Sequence, residues 1–190
     1  MDYLYFHSNA KYPLNKLSNF SKCKIVGNIN NIRYIFPSAE HYYFAHYIQD
    51  QQDIIHLTIN GKLGTFNGLK FFYTDNLDQK IKYWKKKVNI GIVAKLFKNQ
   101  NHKVGIKLKE INDKENEKIW HKVLNEKFRQ SKELLNILIE TSDNQLVEFN
   151  KNSKEISFYT AKIIDGNLIG NNYMGKKITE IRDNFKRKLK

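Results

Sequence analysis

The strongest constraint on the fold is a pair of amphipathic helices predicted over residues 117–128 and 131–143. The first segment repeats its apolar residues at helical spacing, which places them on one face: Ile119, Trp120, Val123, Leu124 and Phe128. The second begins with Ser131 as N-cap and has Glu133 in its first turn. Its expected buried stripe consists of Leu134, Leu135, Leu138 and Ile139. Because two such helices need a shared core, the chain is expected to be rich in helix.

The first 36 residues have a different character and predict short strands and turns. Leu4–Phe6 and the segment 22–26 are strand-like, and residues 27–36 read as a turn followed by a β-branched and aromatic strand. Pro37 and Ser38 then end the strand and start a helix that is predicted to reach about Ile59.

The remaining segments give weaker patterns. Residues 65–81 have no clear period, residues 83–99 read as one helix containing a glycine, and residues 99–116 as a loop with at most one short strand. Residues 145–149 form a strand, 150–164 a loop with strand-like pieces, and 165–177 a Gly/Asn-rich loop. The last helix is expected to begin near Lys176 and to run to the basic end of the chain. No alternation of strands and helices occurs, so we predict a single α+β domain over residues 1–190 with a small sheet near the N-terminus.

Composition limits the function classes. The 190 residues include one cysteine, so no disulfide can form within the chain, and a reducing, cytoplasmic setting is expected. The chain starts without the pattern of a signal peptide and has no apolar run long enough for a bilayer, so we expect no membrane partner. Cys23 as a nucleophile would need a base beside it, and a small half-buried residue is the favoured reading. The net charge of +14 favours phosphate-bearing partners, or else reflects a composition rich in Lys, Asn and Ile.

A carboxylate inside an aromatic stripe is the first candidate for chemistry. On a helix, Glu40, Tyr43, Phe44 and Tyr47 share one face. Burial raises the pKa of a carboxyl group, whereas a position near the helix N-terminus favours the charged form, and such competition tunes a group for acid or base work. The alternative is a first-turn glutamate that complements the helix dipole beside tyrosines of an ordinary core.

A glycine-containing loop is the second candidate. Gly170, Asn172 and Gly175 precede the last helix, and Lys176 and Lys177 add positive charge, which suits an anion. The alternative is a simple turn, as in most Gly/Asn loops. The six histidines show no metal-ligand spacing, and the sequence has neither a phosphate-binding P-loop nor a nucleophile elbow. We therefore expect no metal and no cofactor.

Several motifs, taken together, resemble the YbiA-like (NADAR) family. They occur in the family's order along nearly the whole chain, which is far more specific than any one of them. They are Leu17–Phe20 (LSNF), Pro37–Ala45 (PSAEHYYFA), Lys122–Phe128 (KVLNEKF), Glu133–Glu148 and Gly170–Arg182.

The resemblance implies a compact helix-rich α+β fold and N-glycosidase activity on ribosylated or ADP-ribosylated nitrogen compounds. Known branches act on early riboflavin-pathway intermediates or remove ADP-ribose from guanine in nucleic acid, and no metal is implied. Carried onto this chain, Glu40 becomes the catalytic acid/base and Glu148 a second carboxylate. The other implied substrate-binding positions are Asn19, Phe20, Tyr43, Tyr47, Asn172, Gly175 and Lys177.

The chain departs from the family pattern at positions that bear on activity. Phe44 and Tyr47 stand where the family has glutamine and lysine, and a tyrosine cannot form a Schiff base. Lys95, Lys98 and Lys177 are candidates to replace that lysine, and Trp84 or Trp120 to replace a missing tryptophan. An insertion is predicted around residues 65–90. The alternatives to an enzyme are an ADP-ribose or nucleotide binding module and a nucleic-acid binder that uses the charge.

Overall fold

A computed structural model describes residues 3–87, 89–149 and 156–188. Six α-helices and six strands occur in this part of the chain. The strands are β1 (Tyr3–Phe6), β2 (Ile25–Ile29), β3 (Ile32–Phe36), β4 (Gln145–Glu148), β5 (Lys162–Ile164) and β6 (Asn167–Ile169). The helices are α1 (Ala39–Ala45), α2 (Leu77–Lys86), α3 (Gly91–Gln100), α4 (Asp113–Arg129), α5 (Lys132–Glu140) and α6 (Tyr173–Lys188). Short 3₁₀ helices cover Leu14–Leu17, Gln51–Leu57, Phe66–Phe71 and Asn101–Val104. The fold class is α+β and helix-rich, as predicted.

The chain divides into two compact units. The first contains residues 1–18 and 131–190, and the second contains residues 19–130. Whether they act as the predicted single domain stays a prediction. Within the described part, no helix is both long and apolar enough to cross a bilayer.

The first unit is built on a parallel pair of strands. β1 pairs with β4 in the register Tyr3 to Gln145, and α6 packs against β4. β5 and β6 form a hairpin whose turn residues, Asp165 and Gly166, both have positive φ, as a tight two-residue turn requires. The core of this unit includes Phe6, Leu138, Leu146, Val147, Met174, Ile178 and Ile181.

The second unit packs α1 between a hairpin and two helices. β2 and β3 are joined by Asn30 and Asn31, both with positive φ, again a two-residue hairpin turn. Tyr42 of α1 lies over this hairpin so closely that a Cβ at Gly27 would be 2.4 Å from its ring. The other face of α1 contacts α3 and α4, and the core includes Phe36, Tyr42, Leu57, Leu69, Phe97, Val123, Leu124 and Phe128.

The helix predicted from Ser38 to Ile59 is wrong beyond Ala45. After α1 the backbone turns to pair with another segment, because Gln49 N–H donates to Lys107 and Lys109 N–H donates to Tyr47. Asp50 then caps a separate 3₁₀ helix by accepting from the Gln52 N–H. A capping aspartate in the middle of a periodic stretch is the signal of this break.

The single helix predicted over residues 83–99 is also wrong. It is two helices, α2 and α3, and α2 begins before the predicted start. At the start of α3, Gly91 N–H donates to Phe20 O at 2.9 Å, so the glycine marks a helix start fixed by a distant segment. The predicted insertion around residues 65–90 corresponds to the 3₁₀ helix Phe66–Phe71 together with α2. The polar stretch 99–116 holds the 3₁₀ helix Asn101–Val104, one isolated bridge at Leu108, and the start of α4.

The predicted small sheet near the N-terminus is the β2–β3 hairpin, whereas β1 pairs with β4 from the far end of the chain. Smaller predictions are corrected. The loop predicted over residues 165–177 contains β6 and the first turn of α6, which begins at Tyr173 rather than near Lys176. In α5, Ile137 is buried, whereas Leu135 and Ile139 are only half-buried. The strand predicted at residues 22–26 lies at Ile25–Ile29 instead. Parts of the predicted loop 150–164 and the last two residues of the final helix lie outside the described residues.

Candidate active site

The segment from Pro37 to Ala45 forms α1 because its first residues cap it. The Ser38 side chain accepts from the His41 N–H, and Ser38 Oγ also lies 2.8 Å from His41 Nδ1. His41 Nε2 lies 3.0 Å from Leu63 O. Since a carbonyl only accepts, Nε2 carries the proton and Nδ1 accepts from Ser38. Burial lowers the His41 pKa to about 4, so this imidazole is neutral at pH 7. His41 is therefore a structural residue of the helix start.

Glu40 is a nearly buried carboxylate within this short helix. Glu40 is 7% exposed. Its N–H donates to Asn19 O at 3.2 Å, and the next residue, Phe20, accepts from Gly91 of α3. A Cβ at Gly91 would lie 2.5 Å from Phe20 Cα and 3.1 Å from Glu40 Cγ. The structure thus brings together Glu40, Asn19 and Phe20, as predicted, and the glycine allows α3 to approach them.

Tyr43, Tyr47 and Trp120 form a wall of aromatic side chains at α1. Tyr43 stacks on Trp120 of α4, with ring centroids 3.9 Å apart and planes 16° apart. Tyr43 Oη donates to Asn116 Oδ1 at 2.6 Å and lies 2.7 Å from the Tyr47 hydroxyl. Because the single Tyr43 proton is directed to Asn116, Tyr47 is the donor of the second bond. Tyr47 lies in the turn after α1 rather than on the helix itself, yet it keeps the predicted contact with Tyr43.

Two of the predicted substitute lysines, both on α3, lie over aromatic rings, one in this wall and one outside it. Lys98 Nζ lies 5.1 Å from the centroid of the Tyr47 ring, and Lys95 Nζ lies 5.6 Å from that of Phe20. Both distances are in the range of cation–π contacts. Lys98 is half-buried and Lys95 exposed. Lys98 thus lies over the ring of Tyr47, and its role as a substitute for the family's lysine stays a prediction.

Two further polar residues of α4, Lys127 and Asn116, are not among the predicted site residues. Lys127 lies within the apolar stripe of α4 and is 1% exposed. A lysine that interrupts a buried stripe is rare unless its charge has a partner or a task. Asn116 follows the cap of α4 and had no pattern of its own. Of the two tryptophans considered, Trp120 joins the aromatic wall, whereas Trp84 lies on α2 against Tyr83.

Cys23 is unsuited to act as a nucleophile. Burial raises the pKa of its thiol, and this outweighs the opposing effect of the Lys127 charge and of a hydrogen bond from the backbone of Ala39. A thiol with a raised pKa carries little thiolate at pH 7.

The other predicted residues lie in the first unit, and two of them have packing roles. Asn172 has a positive φ of 48°. Its Nδ2 donates to Leu146 O at 2.8 Å, and its Oδ1 accepts from Glu148 N–H at 3.1 Å. Gly175 lies inside α6, where a Cβ would be 2.1 Å from Leu146 O. These two residues hold α6 against β4, and their role on the phosphate or ribose side of a substrate stays a prediction.

Glu148 and Lys177 complete the predicted set. Glu148 is the last, half-buried residue of β4. Lys177 Nζ lies 3.3 Å from Glu180 and 5.8 Å from the centroid of the Tyr173 ring. A substrate-binding role for both residues stays a prediction.

A cavity of about 690 Å³ lies beside α6 in the first unit. It is lined by both acidic and basic side chains, and its acids already have cationic partners: Asp143 binds Lys186, Glu180 binds Lys177 and Asp183 binds Arg182. Lys176 of the predicted anion site lines it, whereas Glu40 and the predicted substrate-binding residues do not.

No known family model matches the chain. No curated protein matches it either. Among solved structures, the chain is similar to the Escherichia coli protein YbiA, solved by NMR, with a TM-score of 0.59 and 19% sequence identity. The similarity covers 99% of this chain and 87% of that chain. The chain therefore has a YbiA-like fold, which confirms the fold implied by the sequence motifs.

Proposed function

We propose that this protein is an N-glycosidase that hydrolyses the bond between a ribose carbon and a nitrogen, with Glu40 as its acid/base. The observation that carries the proposal is one nearly buried carboxylate, Glu40, whose N–H donates to Asn19 and whose helix also carries Tyr43 of the aromatic wall. A buried carboxylate on a helix that packs against rings, in a YbiA-like fold, supports this chemistry better than the fold alone.

The reaction passes through a transition state with positive charge on the ribose ring. A carboxylate held near that carbon stabilises the charge, takes a proton from the water that bonds to the carbon, and passes the proton to the nitrogen that leaves with the electrons of the broken C–N bond. Glu40 is proposed for these tasks. The half-buried ring of Tyr47, packed against the buried stacked pair Tyr43 and Trp120, is proposed to contact the sugar or base.

The proposed substrate carries phosphate, either as a ribosyl phosphate or as ADP-ribose. Lys98 provides positive charge over the Tyr47 ring of the wall and Lys95 over the ring of Phe20, and the net charge of +14 attracts anions to the whole molecule. ADP-ribose attached to a nucleic acid base fits both features.

A mass-spectrometric release assay tests the proposal. The protein is incubated with an ADP-ribosylated guanine oligonucleotide and, separately, with a ribosylaminopyrimidine phosphate. We expect release of the free base or amine from one of them, and a loss of at least about a hundredfold in Glu40→Gln, because proton transfer by a positioned group contributes about that much.

The control is Glu117→Gln, which removes an exposed carboxylate from α4. It is expected to keep full turnover, and thermal unfolding checks that Glu40→Gln is folded. Release that persists unchanged in folded Glu40→Gln would contradict the assignment of Glu40.

A second function, an ADP-ribose binding module without turnover, is favoured by one observation. Tyr47 occupies the place of the family's lysine, and its hydroxyl is engaged with Tyr43. The module predicts binding of ADP-ribose in calorimetry, weakened in Trp120→Leu, with no product from either substrate. Product formation that requires Glu40 excludes it.

A further inference from the structure

Residues 61–87, which overlap the predicted insertion around residues 65–90, carry an unusual density of positive charge. They contain seven lysines and two aspartates. Six of these lysines are exposed and Lys87 is half-buried. None of the seven forms an ion pair with any described residue. Such a charge is left available for a partner.

The lysines of this segment alternate in space with aromatic rings. Lys62 and Lys70 lie 5.8 Å and 5.3 Å from the centroid of the Phe71 ring. Lys80 lies 5.4 Å from that of Tyr73, and a further lysine, Lys87, lies 6.0 Å from that of Tyr83. Flat rings flanked by ammonium groups are suited to stack bases and hold phosphates at the same time.

Helix α2 has an apolar face, and its lysines and Tyr83 lie on the remaining surface. Its apolar residues Leu77, Ile81 and Trp84 are half-buried, and α2 contacts the 3₁₀ helix Phe66–Phe71. On the remaining surface, Lys80, Tyr83 and Lys87 follow one another at helical spacing, and Tyr83 is 51% exposed. Beside them lie Lys82, Lys85 and Lys86, all exposed. We call Lys80, Lys82, Tyr83, Lys85, Lys86 and Lys87 the α2 surface.

We propose that the α2 surface binds single-stranded nucleic acid. Its lysines contact successive phosphates, and the exposed Tyr83 ring stacks on a base. The site is separate from the residues proposed for catalysis and does not depend on that activity. An anionic membrane fits less well, because helices that lie on bilayers insert an apolar face, and the apolar face of α2 is turned towards its own unit.

The test measures fluorescence anisotropy of a labelled oligothymidylate of about 20 nucleotides at several salt concentrations. The variant Lys82→Gln/Lys85→Gln/Lys86→Gln is expected to bind about tenfold or more weakly at low salt. Its slope of log affinity against log salt is expected to fall by about 2, since each phosphate contact on a single strand contributes about 0.7.

A charge-matched control replaces three exposed lysines elsewhere in the same unit, Lys107→Gln/Lys114→Gln/Lys118→Gln. It is expected to change affinity and slope much less. Tyr83→Leu is expected to weaken binding at least about fivefold with an unchanged salt slope, because stacking releases no counterions. Circular dichroism verifies that all variants are folded.

Equal losses in the two triple variants would overturn the proposal, because the net charge alone would then explain the binding. An α2 triple variant that binds like the unaltered protein would also overturn it. Tighter binding to duplex DNA of the same length would reject the single-stranded partner. Binding to phosphatidylserine vesicles but not to the oligonucleotide would identify a membrane surface instead.

Discussion

Helices α1 and α2 belong to the same unit and both carry aromatic and polar side chains, but they differ in burial. In α1, six of seven residues are buried, including Glu40, His41 and two tyrosines. In α2, none of ten residues is buried. In the α1 region, the ring of Tyr47 is contacted by a lysine of α3. In α2, the ring of Tyr83 is contacted by Lys87, the C-cap of the same helix. Similar residue types thus support a proposed reaction centre in one place and a proposed docking surface in the other.

The largest expected difference concerns matched tyrosines of the two helices. Tyr42 of α1 is fully buried and stacks on Phe36, with centroids 4.9 Å apart. Tyr42→Ala is expected to lower the free energy of unfolding by about 3–5 kcal/mol, as for other large aromatic truncations. Tyr83→Ala on α2 is expected to change it by no more than about 0.5 kcal/mol. Urea unfolding of both variants checks this, and similar effects would contradict the contrast in burial.

A pH dependence of stability is expected from two histidines in the region of α1. The pKa of His41 is lowered to about 4 by burial. The pKa of His46 is also lowered to about 4, by burial and by the charges of Lys122 and Lys109. In the unfolded chain each takes up a proton below about pH 6.5, while the folded protein does not. Stability is therefore highest above pH 6.5 and falls as the pH drops towards 4, by about 2 kcal/mol per histidine at pH 5.

The measurement is urea unfolding of the protein and of His41→Gln between pH 7 and pH 5. The variant is expected to be less stable at pH 7, because it loses contacts with Ser38 and Leu63, but to lose about 2 kcal/mol less on acidification. Exposed His102→Gln serves as the control. If the variant keeps the full pH dependence of stability, His41 does not contribute to that dependence.

Local sequence predicted much of the fold. The helix pair α4 and α5 and the Ser38 and Ser131 caps are confirmed, because periodicity and capping are properties of neighbouring residues. The predicted element boundaries are wrong where contacts with distant segments of the chain determine the backbone structure. The pairing of Gln49 with Lys107, of Gly91 with Phe20, and of β1 with β4 leaves no local pattern.

Part of the candidate site was predictable from the sequence motifs. Motif positions gave Glu40, Asn19, Phe20 and Tyr43, which lie on neighbouring segments in the fold. Asn116, by contrast, is brought to Tyr43 only by the packing of α4 on α1. The pattern of Gly170, Asn172 and Gly175 predicts an anion site, and a glycine needed for close packing on a strand, as Gly175 is in α6, has the same sequence signature.

The next expected effect tests whether the packing of α3 on the α1 region is needed for the site. Gly91→Ala adds a Cβ 2.5 Å from Phe20 Cα. It is expected to lower the free energy of unfolding by about 1–3 kcal/mol and to reduce turnover, because Phe20 and Glu40 must shift. Asn99→Ala, at an exposed position of α3, is the control. Unchanged stability and turnover in Gly91→Ala would mean that the site tolerates looser packing than the geometry indicates.

The smallest expected effect separates the two lysines that approach the α1 region. Lys98 is half-buried over the ring of Tyr47, whereas Lys95 is exposed over Phe20. A charge held in a partly buried position interacts more strongly with a substrate phosphate than an exposed one, which water screens. Lys98→Met is therefore expected to lower kcat/KM about tenfold, the equivalent of about 1.4 kcal/mol, and Lys95→Met distinctly less. Steady-state kinetics on whichever substrate the release assay identifies makes the measurement. An equal or larger loss in Lys95→Met would move the phosphate-binding role to the exposed lysine, and the α1 region would then share the solvent-facing use of charge proposed for α2.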